Sequence, residues 1–163
     1  MTRYNLIPSQ DESLRKGQVA HSLGTDRHGI STDGNCLFHS LARIFAGLFN
    51  PPPVVTNQEL RSQAVGYLRF EAELINEGIV DQRYLQTMGL DGTWGGALEV
   101  MALAYIWGVR INVVGPPNVG PSLDGGPVFG GSPSYLVSFN ESAHIQANLY
   151  YNGSDHYSTG PLG

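Results

Sequence analysis

The chain has 163 residues, of which 41% are hydrophobic, enough for a compact domain to bury a core of its own. Its formal charge of -5 and pI of about 5.4 come without any cluster of Lys and Arg, so a phosphate backbone is not an expected partner and no nucleic-acid role is read from it. Cys36 is the single cysteine, which excludes an internal disulfide and a multi-cysteine zinc site and suits a reducing compartment.

Residues 1–30 are polar and aperiodic apart from a weak helical pattern at Ser13–Leu23, and they read as a segment wrapped over the domain. Leu37, Phe38, Leu41, Ile44, Phe45, Leu48 and Phe49 then recur every three or four residues. That spacing predicts a buried helix starting near Cys36 and stopped by the prolines at 51–53. Thr56 and Glu59 have capping-box spacing, and Leu60, Ala64, Tyr67, Leu68, Ala72 and Ile75 carry one apolar face on to Gly78, a second helix. A shorter helix is predicted at Asp81–Met88. After the Asp91–Gly92 turn, the apolar stretch Ala97–Trp107 is long enough for a fully buried helix. The β-branched Val109, Ile111, Val113 and Val114 mark a strand, and Tyr135–Phe139 marks another. A final pair, Asn148–Tyr151 and His156–Thr159, is joined by a turn at Asn152–Gly153. Residues 115–133 hold 11 Gly or Pro in 19 positions, which predicts an irregular loop. Helices first and a small sheet after them give an α+β fold, one domain over 1–163 with no internal repeat.

Chemistry concentrates at Asp33-Gly34-Asn35-Cys36, a tight polar turn feeding the first helix. The positive end of a helix favours an anion, so a cysteine there is expected to have a lowered pKa. Backbone N–H groups of Asp33, Gly34, Asn35 and Cys36 would form an oxyanion hole if they converge, and Gly34 permits the close approach. A lone cysteine is more often a small buried hydrophobe, so a nucleophilic reading needs a base. His39 lies one turn along the same helix and points down its flank, and His21, His28 and His144 have no distinguishing context. His156 follows the aromatic strand and leads an extended piece in which Ser158 shares its face. From there Ser158 could hydrogen-bond Nδ1 and leave the other nitrogen facing the sulfur, although a hydroxyl orients more weakly than a carboxylate, and by residue type Asp33 is the stronger electrostatic candidate for the histidine.

Asp33-Gly34-Asn35-Cys36-Leu37-Phe38, with Ser40 two positions on, resembles the nucleophile motif of the ovarian-tumour-domain (OTU) cysteine proteases. His156-Tyr157 resembles the family's histidine motif. Gly92-Thr93-Trp94-Gly95-Gly96 with Glu99 and Ala102-Leu103-Ala104 is similar to its central segment. The three blocks occur in family order over a motif core at 33–157. The resemblance implies a papain-like α/β cysteine protease fold and hydrolysis of the isopeptide bond between the C-terminal glycine of ubiquitin and a lysine. Ubiquitin or polyubiquitin would be the partner and no cofactor would be needed. It implies Cys36 as nucleophile, His156 as general base and then acid, and Asp33 as the acidic residue of the nucleophile loop. Ser158 departs from the Asn or Asp that family members often carry there. A narrow slot for the ubiquitin tail is expected at Trp94, Gly95 and Gly96.

Rival readings are a protease for a ubiquitin-like modifier or a viral polyprotein, and a non-catalytic ubiquitin-binding module. Gly115 to Ser122 mimics a phosphate-binding loop but has Pro121 where the lysine belongs, which excludes nucleotide binding. No two histidines have metal-ligand spacing on one helix, so no metal site is expected. With no apolar run of membrane-spanning length and no secretory signal pattern, the expectations are no membrane partner, a monomer, and a cytoplasmic location, the host cytoplasm for a pathogen's protein.

Overall fold

The computed structural model describes residues 24–117 and 133–161. The Ser13–Leu23 pattern, His21, and most of the Gly/Pro-rich stretch lie outside the described residues. Helix α1, Cys36–Leu48, starts and stops where the apolar periodicity and the prolines place it, and buries Leu37, Phe38, Leu41 and Phe45. Helix α2, Asn57–Leu68, opens with the capping box read from Thr56 and Glu59: Thr56 Oγ1 accepts the Glu59 N–H and Glu59 Oε1 accepts the Thr56 N–H, each at 3.1 Å.

The second helix does not run to Gly78 as the sequence suggests. It ends at Leu68, the chain turns, and a short helix α3 occupies Ala72–Asn76. An unbroken helix would carry the apolar face from Leu68 to Ile75, seven residues on. Instead Leu74 is buried at 4% exposure and Ile75 stands out at 41%, and the break at Arg69–Glu71 is what rephases the chain to bury the leucine. Helix α4, Gln82–Met88, is capped by Asp81, whose Oδ1 accepts the Tyr84 N–H at 2.8 Å. Helix α5, Ala97–Trp107, is buried on every side from Ala97 to Ala104, as its unpatterned apolar sequence requires. Gly108, at φ +67°, closes it in the left-handed conformation.

Gly66 sits on the exposed side of α2 with nothing within 4 Å of where a Cβ would lie. Gly66→Ala is therefore expected to stabilise the fold by up to about 1 kcal/mol through the lost backbone entropy of the unfolded chain. The check is a higher urea midpoint at unchanged slope.

The strands are β1 (Val109–Pro117), β2 (Pro133–Phe139), β3 (Ile145–Tyr151) and β4 (Tyr157–Ser158), in the order β2-β1-β3-β4. β1 runs antiparallel to β2 and parallel to β3, and β3 pairs antiparallel with β4. Residues 115–117 and 133, assigned to a loop by their glycine and proline, are in strands, because pairing between Pro117 and Pro133 continues the ladder past an irregularity in register. β3 also begins three residues before the expected Asn148: Ile145 is a lone apolar residue between His144 and Gln146 and sets up no alternation, yet Ile145 and Gln146 pair with Val109 and Arg110. Val109, Ile111 and Val113 of β1 are fully buried in the core with Leu149. On the alternate positions Asn112 joins Ser138, Gln146 and Asn148 through side-chain hydrogen bonds. The α+β architecture thus sets α1 against the β3–β4 end of the sheet, and the only thiol lies at that junction.

Candidate active site

Cys36 is the first residue of α1, and the thiol is buried with the residue 1% exposed. Its Sγ accepts the backbone N–H of Tyr157 at 3.4 Å, so the residue after His156 rests directly on the sulfur. His156 reaches that position through the turn between β3 and β4. Asn152 Oδ1 accepts the N–H groups of Ser154, Asp155 and His156 at 2.8, 2.8 and 3.0 Å, and the Asn152 N–H donates to the His156 carbonyl at 3.0 Å. One asparagine side chain therefore folds the whole turn, with Gly153 at φ +90° supplying the conformation that other residues resist.

The partner of His156 is Asp26, a residue that sequence reasoning passed over. Asp26 Oδ2 lies 2.6 Å from His156 Nε2, and both side chains are nearly buried, at 9% and 11% exposure. Asp26 sits in a loop closed by the Thr25–Ser31 bridge, and its Oδ1 accepts the N–H groups of His28 at 2.7 Å and Ile30 at 3.1 Å. Burial alone would raise the pKa of this carboxyl. Hydrogen bonds from His156, Ser158, Ile30 and His28 outweigh burial and bring it down to about 2. An Asp-x-x-Gly turn at 26–29 is a local signal that the sequence does carry. Nothing local tells that the turn meets a histidine 130 residues away.

Because the native carboxyl is held below the ordinary 3.8, its contribution to stability is complete above that pH and is lost as the pH falls from 3.8 towards 2. The melting-temperature gap between the wild type and Asp26→Asn is expected to close over that window. A gap that persists unchanged to pH 2 would dissociate the carboxylate from the stability of the fold.

Ser158 does not hold the imidazole. Its buried hydroxyl has no partner at strict hydrogen-bond geometry and lies close enough to Asp26 to help keep that carboxylate charged. The two imidazole nitrogens are also exchanged relative to expectation: Nε2 takes the orienting contact, and Nδ1, buried and without a hydrogen-bond partner, is the free one.

Asp33 does not reach His156 either. Its Oδ1 accepts the Asn35 N–H at 2.9 Å and the Ser31 hydroxyl at 3.0 Å, so it shapes the nucleophile loop. Of the four proposed oxyanion donors, the Asn35 N–H is engaged by that carboxylate and the Cys36 N–H by the Asp33 carbonyl at 3.2 Å. The N–H groups of Asp33 and Gly34 donate to no acceptor among the described residues.

The expected activation of the thiol by the helix terminus is overruled by burial. Burial pushes the Cys36 pKa up to about 12, opposed by the N–H groups of Tyr157 and Leu37 and reinforced by Asp33 and Asp155. Helix ends are worth at most a kcal/mol or two, whereas removing a thiolate from water costs more. Alkylation of the free protein by iodoacetamide at pH 8 is thus expected to be at least about tenfold slower than that of an ordinary cysteine thiol. Equal rates would show the sulfur to be open and ionised.

The model of the OTU-like cysteine protease family matches residues 31–157, most of the chain. The chain belongs to this family. A curated relative, the Arabidopsis thaliana ovarian tumor domain-containing deubiquitinating enzyme 9, is 33% identical over 115 residues, which cover 66% of this chain and 32% of that protein. Deubiquitinating enzyme 7 of the same plant is 25% identical over 142 residues, 85% of this chain and 33% of its own length. The chain therefore spans about a third of the length of these relatives. Among solved structures, the OTUD1 OTU domain superposes with a TM-score of 0.57 at 19% identity, covering 97% of this chain and 96% of that one. The Hazara virus OTU bound to ubiquitin gives 0.52 at 22%, covering 87% and 81%.

In this OTU-like chain the loop before Cys36 is clamped by a buried arginine that no motif or local pattern marks. Arg61 of α2, 1% exposed, donates through Nη2 to Asn35 Oδ1 at 2.6 Å and through Nη1 to the Met88 carbonyl at 2.9 Å, with its guanidinium 4.4 Å from the centre of the Phe38 ring. Burial lowers its pKa only to about 10, with Glu99 and Asp91 foremost in opposing the shift, so it remains charged at neutral pH. Asn35 also accepts the Gly92 N–H at 3.0 Å and donates to Asp91 at 2.9 Å. The Asn35 side chain thereby ties the thiol's loop to the Gly92–Gly96 segment instead of capping its own helix.

Trp94, Gly95 and Gly96, expected as a tail slot, are all buried. A Cβ at Gly95 would stand 2.6 Å from Leu37 Cδ2, so glycine is required there by close packing against α1. The Gly96 N–H donates to Glu99 Oε1 at 2.7 Å, and Glu99 Oε2 accepts the buried Tyr84 hydroxyl. Of the other histidines, His144 is exposed and His39 is half-buried on α1.

Proposed function

We propose that this chain is a cysteine deubiquitinase that hydrolyses the isopeptide bond between the C-terminal glycine of ubiquitin and a lysine amine. The observation that carries the reading is the Asp26–His156 contact, made next to the thiol that opens α1. In a structural role a buried cysteine requires no such neighbour. A histidine with one nitrogen held by a carboxylate and the other left free, in a chain whose next residue rests its N–H on a thiol, supplies the parts a thiol protease needs. The relatives named as deubiquitinating enzymes and the ubiquitin-bound neighbour support ubiquitin as the substrate.

On this reading His156 Nδ1 takes the Cys36 proton as the sulfur attacks the glycine carbonyl carbon, forming the C–S bond and an oxyanion. The free N–H groups of Asp33 and Gly34 stabilise that charge. Collapse of the tetrahedral intermediate breaks the C–N bond, with Nδ1–H delivering its proton to the departing lysine amine. Water, deprotonated by the same nitrogen, then attacks the thioester and releases the ubiquitin carboxylate and the thiol. Asp26 stays ionised throughout and holds Nε2–H, which fixes the tautomer and offsets the imidazolium charge. The Gly92–Gly96 segment, tied to Asn35, flanks the tail on its way to the sulfur.

The test is incubation with every diubiquitin linkage and with parallel ubiquitin-like modifiers. Cleavage of ubiquitin chains is the expected result. Cleavage of another modifier alone would move the substrate, and binding without turnover would make the chain a recognition module.

A further inference from the structure

Beyond β4 the chain does not leave the site. Gly160 is buried against His28, whose imidazole fills the place of a side chain: a Cβ at Gly160 would lie 2.6 Å from His28 Cε1 and 2.8 Å from Nε2. One residue later the Pro161 carbonyl accepts from His28 Nε2 at 2.8 Å and from Arg27 Nε at 3.0 Å, with Arg27 Nη2 on the same oxygen. Arg27 and His28 are the two residues directly after Asp26, and the His28 N–H is the closer of the two backbone donors on the Asp26 carboxylate. From the other side, Arg43 of α1 donates to the His28 carbonyl.

We propose that Gly160 and Pro161 form a strap that positions Asp26 against His156, acting through His28 and Arg27. The loop carrying Asp26 is short, and its own backbone closes it with three hydrogen bonds, Thr32 N–H to the Gly24 carbonyl, Asp26 N–H to the Ile30 carbonyl and Gly29 N–H to the Asp26 carbonyl. The strap adds an anchor at the two residues that follow Asp26, formed by the chain that continues from His156 through β4. The two halves of the Asp26–His156 contact are thus fixed to one piece of chain, so displacing the strap shifts the acid relative to the base. Arg27, His28 and Gly160 are positioning residues on this account, since none of them touches the reacting atoms.

The kinetic arm of the test rests on the deubiquitinase reading, and the spectroscopic arm does not. Gly160→Val must push the His28 ring aside, and a misplacement of about 1 Å at a catalytic group is expected to lower kcat by about 10²-fold with little change in KM. In the Asp26→Ala background the same substitution is expected to cost less than about twofold, because the group it acts through is gone. Equal losses in both backgrounds would overturn the strap. In protein labelled with ¹⁵N-histidine, the His156 Nε2–H is expected to give a downfield-shifted proton resonance that Gly160→Val loses, and its retention would overturn the proposal. Should Gly160→Val fail to fold, Arg27→Ala with His28→Ala removes the donors to Pro161 without adding bulk and replaces it in both arms. Gly47→Ala, at an exposed helical glycine with nothing within 4 Å, is the control expected to change neither readout. If the wild type cleaves no ubiquitin substrate, the deubiquitinase reading fails while the resonance still decides the strap.

Discussion

Cys36→Ala is expected to abolish cleavage while leaving ubiquitin binding intact. Removing a covalent nucleophile from a hydrolase whose groups act as a unit costs about 10⁶-fold in kcat, which takes the reaction below detection in a gel assay. The fold should tolerate the change. The residue is small, one wall of its site is the backbone of Tyr157, and the substitution forfeits a single hydrogen bond from an N–H to sulfur, worth about 1 kcal/mol. The alternative, that Cys36 is only a buried hydrophobe, predicts the reverse: a variant slightly less stable and fully active. An active Cys36→Ala protein would therefore remove the nucleophile from the mechanism. The high pKa of the resting thiol strengthens the demand on His156. A sulfur pushed up to about 12 does not wait as a thiolate, so on the proposed mechanism its proton moves to Nδ1 with substrate in place.

What was legible in the sequence divides along the range of the interactions. Capping at Thr56, the stop at the prolines after Asn50 and the buried stretch Ala97–Trp107 depend on neighbours within a few residues, and each appears where the pattern puts it. The split after Leu68 was hidden because Leu74 and Ile75 are both apolar, and only the packing of the tertiary core chooses between them. The extra length of β1 was hidden for a related reason. Gly115, Pro116 and Pro117 carry turn chemistry, and pairing to a distant strand overrides it. The site follows the same division. Cys36 and His156 stand in motifs, whereas Asp26 and Arg61 are ordinary residues until the chain folds, and each acts on a group far away in sequence. Asp33 drew attention because it adjoins the cysteine, yet adjacency in sequence served the loop and left the imidazole to another acid.

Asp26→Ala is the second large expected effect, a fall in kcat of about 10² to 10⁴-fold with KM nearly unchanged, the range seen when an orienting acid is removed from a nucleophile–base pair. Two functions are lost together in that variant, the acceptor that fixes Nε2–H and the charge that stabilises the imidazolium. Asp26→Asn separates them. An amide oxygen can still accept from Nε2–H, and the N–H groups of His28 and Ile30 keep an acceptor, but the negative charge is gone. If orientation dominates, Asp26→Asn should retain most of the activity that the alanine variant loses. If charge dominates, the two should fall together. Ser158→Ala belongs in the same series because its hydroxyl lies beside the carboxylate and not on the imidazole, so its loss should be much smaller than that of Asp26→Ala. A Ser158→Ala protein as damaged as His156→Ala, beside an Asp26→Ala protein of normal activity, would return the orienting role to β4. The opposite ranking makes the acid from the loop before α1 the third member of the site, joined to a histidine at the other end of the chain.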